Sequence, residues 1–179
     1  VKWSRGTFAW IAVSSRGTTQ GGAEIPNKHT SLHSFRTESG GILGVMSHLW
    51  DPNDMTCTVR LTTDNQTAAD TYNGIHVESN SVDIWDEIRW WQSLWGERFV
   101  VVWKRGHPEK RHADTTTWSG DDWRNHAADR LCDTIYYSGP KISPVTYTHG
   151  RAWYWMHKGE RVVDNLSLIH ISEPTRHSI

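Results

Sequence analysis

Cysteine is scarce in this 179-residue chain. Cys57 and Cys132 are far apart and outside any C-x-x-C spacing, so neither a disulfide framework nor a cysteine zinc site is encoded. Reduced, buried thiols are the expected state. A surplus of charge is equally absent. The formal net charge of -1 excludes whole-surface attraction to a polyanion, and any nucleic-acid partner must be held by a local basic cluster. Long apolar runs are missing too. The longest, FVVVW at 99–103, falls far short of a membrane span, and no signal-peptide pattern opens the chain. The first residue is Val1 rather than methionine, which leaves room for a leader ahead of it. There is no internal repeat and no low-complexity segment. What is there, 36% hydrophobic and 22% charged residues, is the composition of one globular domain plus ends.

One end stands apart. Residues 166–176 read LSLIHISEPTR, which resembles the conceptual translation of a transposase-type sequencing adapter. Residues 166–179 are therefore expected to be a non-native tail and are excluded from fold reasoning. Residues 139–165 hold two prolines and a Tyr/Trp-rich piece without a clear period, and read as a connector to a downstream region.

Before that connector the pattern alternates between strands and helices. GTFAWIAVSSRG breaks at Arg16-Gly17 as a strand entering a hairpin, with TTQGGAEI returning. SFRTESGGILGVMSHLW places Phe35, Ile42, Met46, Leu49 and Trp50 on one helical stripe, with Ser34 as the expected N-cap. MTCTVRLTTD reads as the next strand, and NQTAADTYNGI as a short helix stopped near Asn73-Gly74. A helix over 81–96, capped by Ser81, carries Ile84, Ile88, Trp91 and Trp95. FVVVW is a buried strand that empties into a polar loop. The last helix, from Ser119, opens with a capping box formed with Asp122 and buries Ala128, Leu131, Cys132 and Ile135. The order is that of an α/β domain with an initial antiparallel pair.

Three carboxylates occupy comparable places in that order. Asp64 ends a strand, beside the crevice where open α/β sheets take ligands. Glu38 lies on the flank of the first helical stripe, and Asp129 lies beside the last helix's buried face with Asn125 one turn earlier. If they converge, like charges raise one another's pKa, and divalent cations relieve that cost. Oxygen-only ligands suit Mg²⁺ or Mn²⁺, and two such ions clamp the attacking and leaving oxygens of a phosphodiester displacement.

Five pieces in order make the pattern specific: SFRTES, TTDNQ, VDIWDEI, VVWKRGH and NHAADRL. Over roughly residues 1–138 the chain resembles a type 1 ribonuclease H domain of the kind attached to retroelement reverse transcriptases. The resemblance implies a ribonuclease H-like mixed sheet flanked by helices. It further implies hydrolysis of the RNA strand of an RNA–DNA hybrid with two Mg²⁺ or Mn²⁺ ions, and a reverse transcriptase domain upstream in the same polyprotein. By the matching motifs Glu38, Asp64 and Asp129 are metal ligands and His107 is the mobile histidine of proton transfer or product release. Ser34, Arg36, Asn65, Gln66, Lys104, Arg105 and Asn125 fall among positions expected to touch the hybrid.

Two departures accompany the match. Family members open on a central strand bearing D-G-[SG] and a further catalytic aspartate. This chain starts at VKWSRGTFAW, which matches residues just after that motif, so the aspartate and its strand are expected upstream of Val1 and the fragment itself is expected to be inactive. The span between His107 and Asp129 is also longer than in compact members, with Lys110, Arg111, His112 and Trp118 inserted. Apart from the family pattern, Lys104, Arg105, Lys110 and Arg111 read equally as a solvated charge run and as phosphate contacts. The tryptophans read mostly as core, Trp91 and Trp95 included, and Asp70, Glu78 and Asp83 as surface acids. Two rival readings stay open: a non-catalytic domain that tethers hybrid or polymerase, and a DNA-processing enzyme of the same superfold.

Overall fold

The computed structural model describes residues 6–25, 33–77, 81–112, 114–138 and two short strands at 156–157 and 160–161. Aromatic and β-branched residues alternating with small ones make the first strand, β1 (Gly6–Ser14), which pairs antiparallel with β2 (Gly17–Ile25). Ser14 faces Gly17 in the register, so the turn is Ser15-Arg16, one residue earlier than the sequence indicated. Gly17 closes it at φ 124°, a value glycine adopts without strain.

Side chains alternate across this hairpin and recruit a helix to each face. Phe8 and Trp10 are buried against α1 (Ser34–His48), while Thr7 Oγ1 donates to the Cys132 carbonyl of α5 (Gly120–Ser138) at 3.4 Å on the other face. Gly21 lies under the Trp10 ring, and Gly22 meets Ile135 from the opposite side. The N-cap of α1 is His33 rather than the expected Ser34: its Nδ1 accepts from the Arg36 amide at 3.3 Å, leaving Ser34 exposed in the first turn.

The second strand pair is parallel. β3 (Val59–Thr63) runs alongside β4 (Phe99–Trp103), joined through α2 (Gln66–Tyr72), α3 (Val82–Trp95) and a 3-10 turn at Gly96–Arg98. β3 is shorter than the MTCTVRLTTD stretch expected for it. The Asp54 carboxylate captures the Thr56 and Cys57 amides, each at 3.2 Å, and this side-chain turn takes the place of strand pairing. Ser81, expected to cap α3, makes no capping bond and sits in the left-handed region.

The core is the α1, α2, α3 and β4 interface, with Ile42, Met46, Trp85, Ile88, Trp95 and Val101 all at 2% exposure or less. Trp95 spans it, donating from Nε1 to the Met46 carbonyl at 3.0 Å. Trp91 only packs on its edge. Asp83, read as a surface acid, is instead buried: both its oxygens take the Arg36 guanidinium, at 2.8 and 2.9 Å, pinning α3 to α1. Arg36, expected to touch nucleic acid, is therefore an interior residue at 3% exposure.

After β4 come α4 (Pro108–Arg111), a 3-10 turn at Thr115–Thr117, and α5. The capping box of α5 is present, with the Ser119 amide donating to Asp122 at 2.9 Å and the Asp122 amide to Ser119 Oγ at 3.3 Å. The face expected to be buried is only half covered: Ala128, Leu131, Cys132 and Ile135 are all partly exposed. Both thiols are free and half-buried, less enclosed than expected. A last antiparallel pair joins β5 (Met156–His157) and β6 (Glu160–Arg161). The rest of 139–165, the tail 166–179 and Glu78 lie outside the described residues.

The architecture is α/β, one antiparallel and one parallel strand pair among helices. The strands expected to share one mixed sheet form separate pairs, and among the described residues nothing is hydrogen-bonded between β1 and β3. No described helix is long and apolar enough to cross a membrane.

Candidate active site

α1, the end of β3 and α5 converge at one mouth of the space between the strand pairs. Thr63, the last residue of β3, is buried and donates from Oγ1 to Glu38 Oε2 at 2.9 Å, which fixes the Glu38 carboxylate across the helix–strand junction. Asp64 follows where the strand ends. Its carbonyl accepts Trp103 Nε1 at 3.2 Å, and the parallel ladder continues past it through the Lys104 amide to the Thr63 carbonyl at 2.9 Å. Gly106, in the loop after β4, packs directly on the Asp64 carboxylate. A cavity of about 410 Å³ opens here, lined among others by Ser34, Glu38, Asp64, Asn65, Arg105 and His107.

The acids feel one another. Burial, then the neighbouring Asp64, push the Glu38 carboxyl up to about 7; Asp129 adds to the rise and the Thr63 hydrogen bond opposes it. Asp129 is also raised, by burial first and Asp64 second, with His107 and His126 pulling the other way. Glu38 and Asp129, both pushed toward the protonated form beside the Asp64 carboxylate, make an unsatisfied electrostatic arrangement that a cation would satisfy.

His107 reaches this place despite the longer loop that follows it. Its Nδ1 lies 3.2 Å from Glu109 and 3.8 Å from Asp129, and its backbone is left-handed at φ 53° and ψ 60°. Arg111 holds the loop in that shape, donating to the carbonyls of Gly106 (3.3 Å) and Arg105 (3.2 Å) while pairing with Asp122 at 2.9 Å.

The expected nucleic-acid contacts divide into two groups. Ser34, Asn65 and Arg105 border the acids, with Asn65 capping α2 through the Ala68 amide at 3.0 Å and Arg105 exposed; Gln66, the exposed first residue of α2, is outside that lining. Lys104 is turned toward α5, bonded to Ser119 Oγ at 2.7 Å and within 3.8 Å of Asp121 and Asp122. Asn125 faces the interior, its Oδ1 buried and without a hydrogen-bond partner among the described residues. Arg36, as shown above, is sequestered.

Sequence reasoning missed Thr63, Gly106, Glu109 and His126 at this site. Glu109 bridges His107 and His126, the latter at 3.6 Å. The threonine beside the strand-ending acid and the glycine before the histidine were the available signals.

In kind, the donors fit a hard divalent cation, since all three acids offer oxygen alone and Glu38 and Asp129 are both raised by burial and by the acids beside them. In spacing they remain open: among the described residues no three His, Cys, Asp or Glu side chains stand close enough to hold an ion. No protein-family model matches the chain, and no curated protein is similar to it.

Proposed function

We propose that this chain is the greater part of a ribonuclease H-type domain that hydrolyses the RNA strand of RNA–DNA hybrids, within a protein that also carries a reverse transcriptase. The observation that supports it is the convergence of Glu38, Asp64 and Asp129 at one mouth of an α/β framework, with the Glu38 carboxyl pushed up to about 7 by burial and by its two neighbours. Ordinary surface acids avoid such company.

In this reading Glu38, Asp64 and Asp129 hold Mg²⁺ or Mn²⁺, which when bound would supply a nucleophilic water and stabilise charge on the phosphate. Thr63 orients Glu38 through its 2.9 Å hydrogen bond. His107, 3.8 Å from Asp129, is placed to accept or deliver a proton at the mouth. Ser34, Asn65 and Arg105 border the same cavity and offer polar and cationic contacts to a sugar–phosphate backbone, with Gln66 exposed on the adjoining first turn of α2. The finer fold assignment, one mixed sheet with a central strand ahead of β1, belongs to this proposal, as does a fourth acid on that strand.

The test is a chain extended upstream through that strand and assayed with Mg²⁺ or Mn²⁺ on RNA–DNA hybrid, duplex RNA and duplex DNA. Cleavage of the RNA in hybrid alone, lost in Glu38→Gln and Asp64→Asn, is the expected result. No cleavage, or cleavage that Glu38→Gln leaves untouched, ends the reading; preference for duplex DNA selects a DNA-processing relative instead. A second reading, a non-catalytic hybrid-binding domain, is favoured by the open spacing of the acids. Salt-dependent hybrid binding without metal-dependent cutting selects it.

A further inference from the structure

The segment between His107 and α5 folds back on that helix through an aromatic contact. Trp118 donates from Nε1 to the His112 carbonyl at 3.1 Å, and its ring meets Trp123 with centroids 4.8 Å apart and His126 with centroids 5.2 Å apart. Trp118 is partly covered in making these contacts. Trp123, in the first turn of α5, keeps 50% of its surface open. That open ring begins a track. Positions seven apart on an α-helix share a face, and Trp123, Arg130 and Tyr137 are all exposed, Tyr137 at 82%. Aromatic, cationic and aromatic groups thus follow one another along roughly 21 Å of helix, at 1.5 Å per residue.

The first end of the track is joined to the candidate site. His126, in contact with Trp118, lies 3.6 Å from Glu109, and Glu109 lies 3.2 Å from His107 at the mouth. The surroundings of the open ring decide what can cover it. An anchor aromatic of a protein interface sits among apolar side chains with charge depleted around it. Here the neighbours along the helix are Arg124, His126 and Arg130, with the Arg124 side chain 43% exposed while it holds Asp121 at 2.6 Å. A duplex keeps its base faces stacked on one another and has none to offer an indole. An unpaired strand offers base faces to the rings and phosphates to the arginines between them.

We infer that the outer face of α5 is a binding track for single-stranded nucleic acid, on which Trp123 and Tyr137 stack unpaired bases and Arg130 meets the phosphates between them. The partner is an unpaired strand rather than a hybrid, and the track uses none of the three acids. It goes beyond the nuclease reading and is measured with metal removed, so either can fail without the other. Asp133, exposed on the flank of the same face, opposes a polyanion and gives the track a second test.

The experiment uses the full chain in EDTA with end-labelled oligothymidylate and oligouridylate of about ten nucleotides, read by fluorescence anisotropy over a range of salt. Saturable binding to at least one of the two is expected, with weaker binding to blunt duplex DNA. Trp123→Ala should weaken it about tenfold, while Trp123→Phe, which keeps a ring face, should lose less than about threefold. Arg130→Gln should flatten the slope of log affinity against log salt by about 0.7. Asp133→Asn should tighten binding, and Glu38→Gln should leave it as in wild type. A bromouracil-substituted strand should photo-crosslink to Trp123, located by peptide mass spectrometry. These side chains are exposed, and circular dichroism should find the variants folded as wild type is. The inference is overturned if no saturable binding occurs, if folded Trp123→Ala binds as wild type does, or if blunt duplex or heparin, which has no bases, competes as well as the single strand.

Discussion

Gly106 leaves no room for a β-carbon beside the carboxylate of Asp64. The loop after β4 therefore sets the position of the strand-ending acid by direct contact, with Arg111 holding the loop's carbonyls. Gly106→Ala should force the two apart at a stability cost of about 1–3 kcal/mol. It should weaken Mn²⁺ affinity about tenfold, as displaced support for a ligand does. Urea denaturation and calorimetric titration of Mn²⁺ check the two parts separately.

The Arg36–Asp83 pair is buried and bidentate, so each half depends on the other. Removing one partner leaves a charge inside α1–α3, and Arg36→Ala or Asp83→Ala should destabilise by about 3–5 kcal/mol. Arg36→Met with Asp83→Leu, which removes both charges and keeps the volume, should recover most of that loss. Equilibrium unfolding of the three variants measures it. Hybrid binding by Arg36 is expected to play no part.

Much of the fold was legible because it rests on local pattern. The helical stripe through Ile42 and Met46, the FVVVW strand and the Ser119–Asp122 box are short-range signals, and each forms where the periodicity and cap chemistry place it. The failures are long-range or competitive. His33 displaced Ser34 as a cap because its ring nitrogen reaches the Arg36 amide, and Asp54 shortened β3 by offering the backbone a rival partner. Arg36 carried no mark of burial, since its partner Asp83 lies 47 residues away. At the site, the acids' order along the chain pointed to their meeting, while the open spacing between them depends on packing that no motif encodes.

Glu38 makes stability depend on pH in a defined direction. Its carboxyl stands near 7 in the folded chain against an ordinary 4.5. Below about 4.5 the group is protonated in both folded and unfolded chains, and no penalty exists. As pH rises, the unfolded chain releases its proton first, so stability falls until the folded group also ionises, near 7. The loss is on the order of 2 kcal/mol for a half-buried group. Glu38→Gln keeps an acceptor for Thr63 and removes the charge. It should raise Tm by a few degrees at pH 8 and leave it unchanged at pH 4. Thermal melts at the two values are the check, and Mn²⁺ at pH 8 should raise the Tm of wild type but not of the variant.

His107 combines a functional position with an unfavourable backbone. Its left-handed φ of 53° disfavours any residue with a β-carbon, while glycine adopts it freely. His107→Gly should therefore stabilise the fold by about 1 kcal/mol relative to His107→Ala. The two variants lose the same imidazole 3.8 Å from Asp129, so in the upstream-extended chain both should slow hybrid cleavage by about 10²-fold or more. Separate readouts keep the two effects apart: urea denaturation ranks the backbone contribution, and single-turnover cleavage ranks the chemical one. Equal cleavage by wild type and both variants would reduce His107 to a loop residue, leaving its strain without a chemical purpose. A fall in cleavage that follows stability, with the alanine variant slower than the glycine variant, would instead make loop geometry the determinant, acting through Gly106 on Asp64.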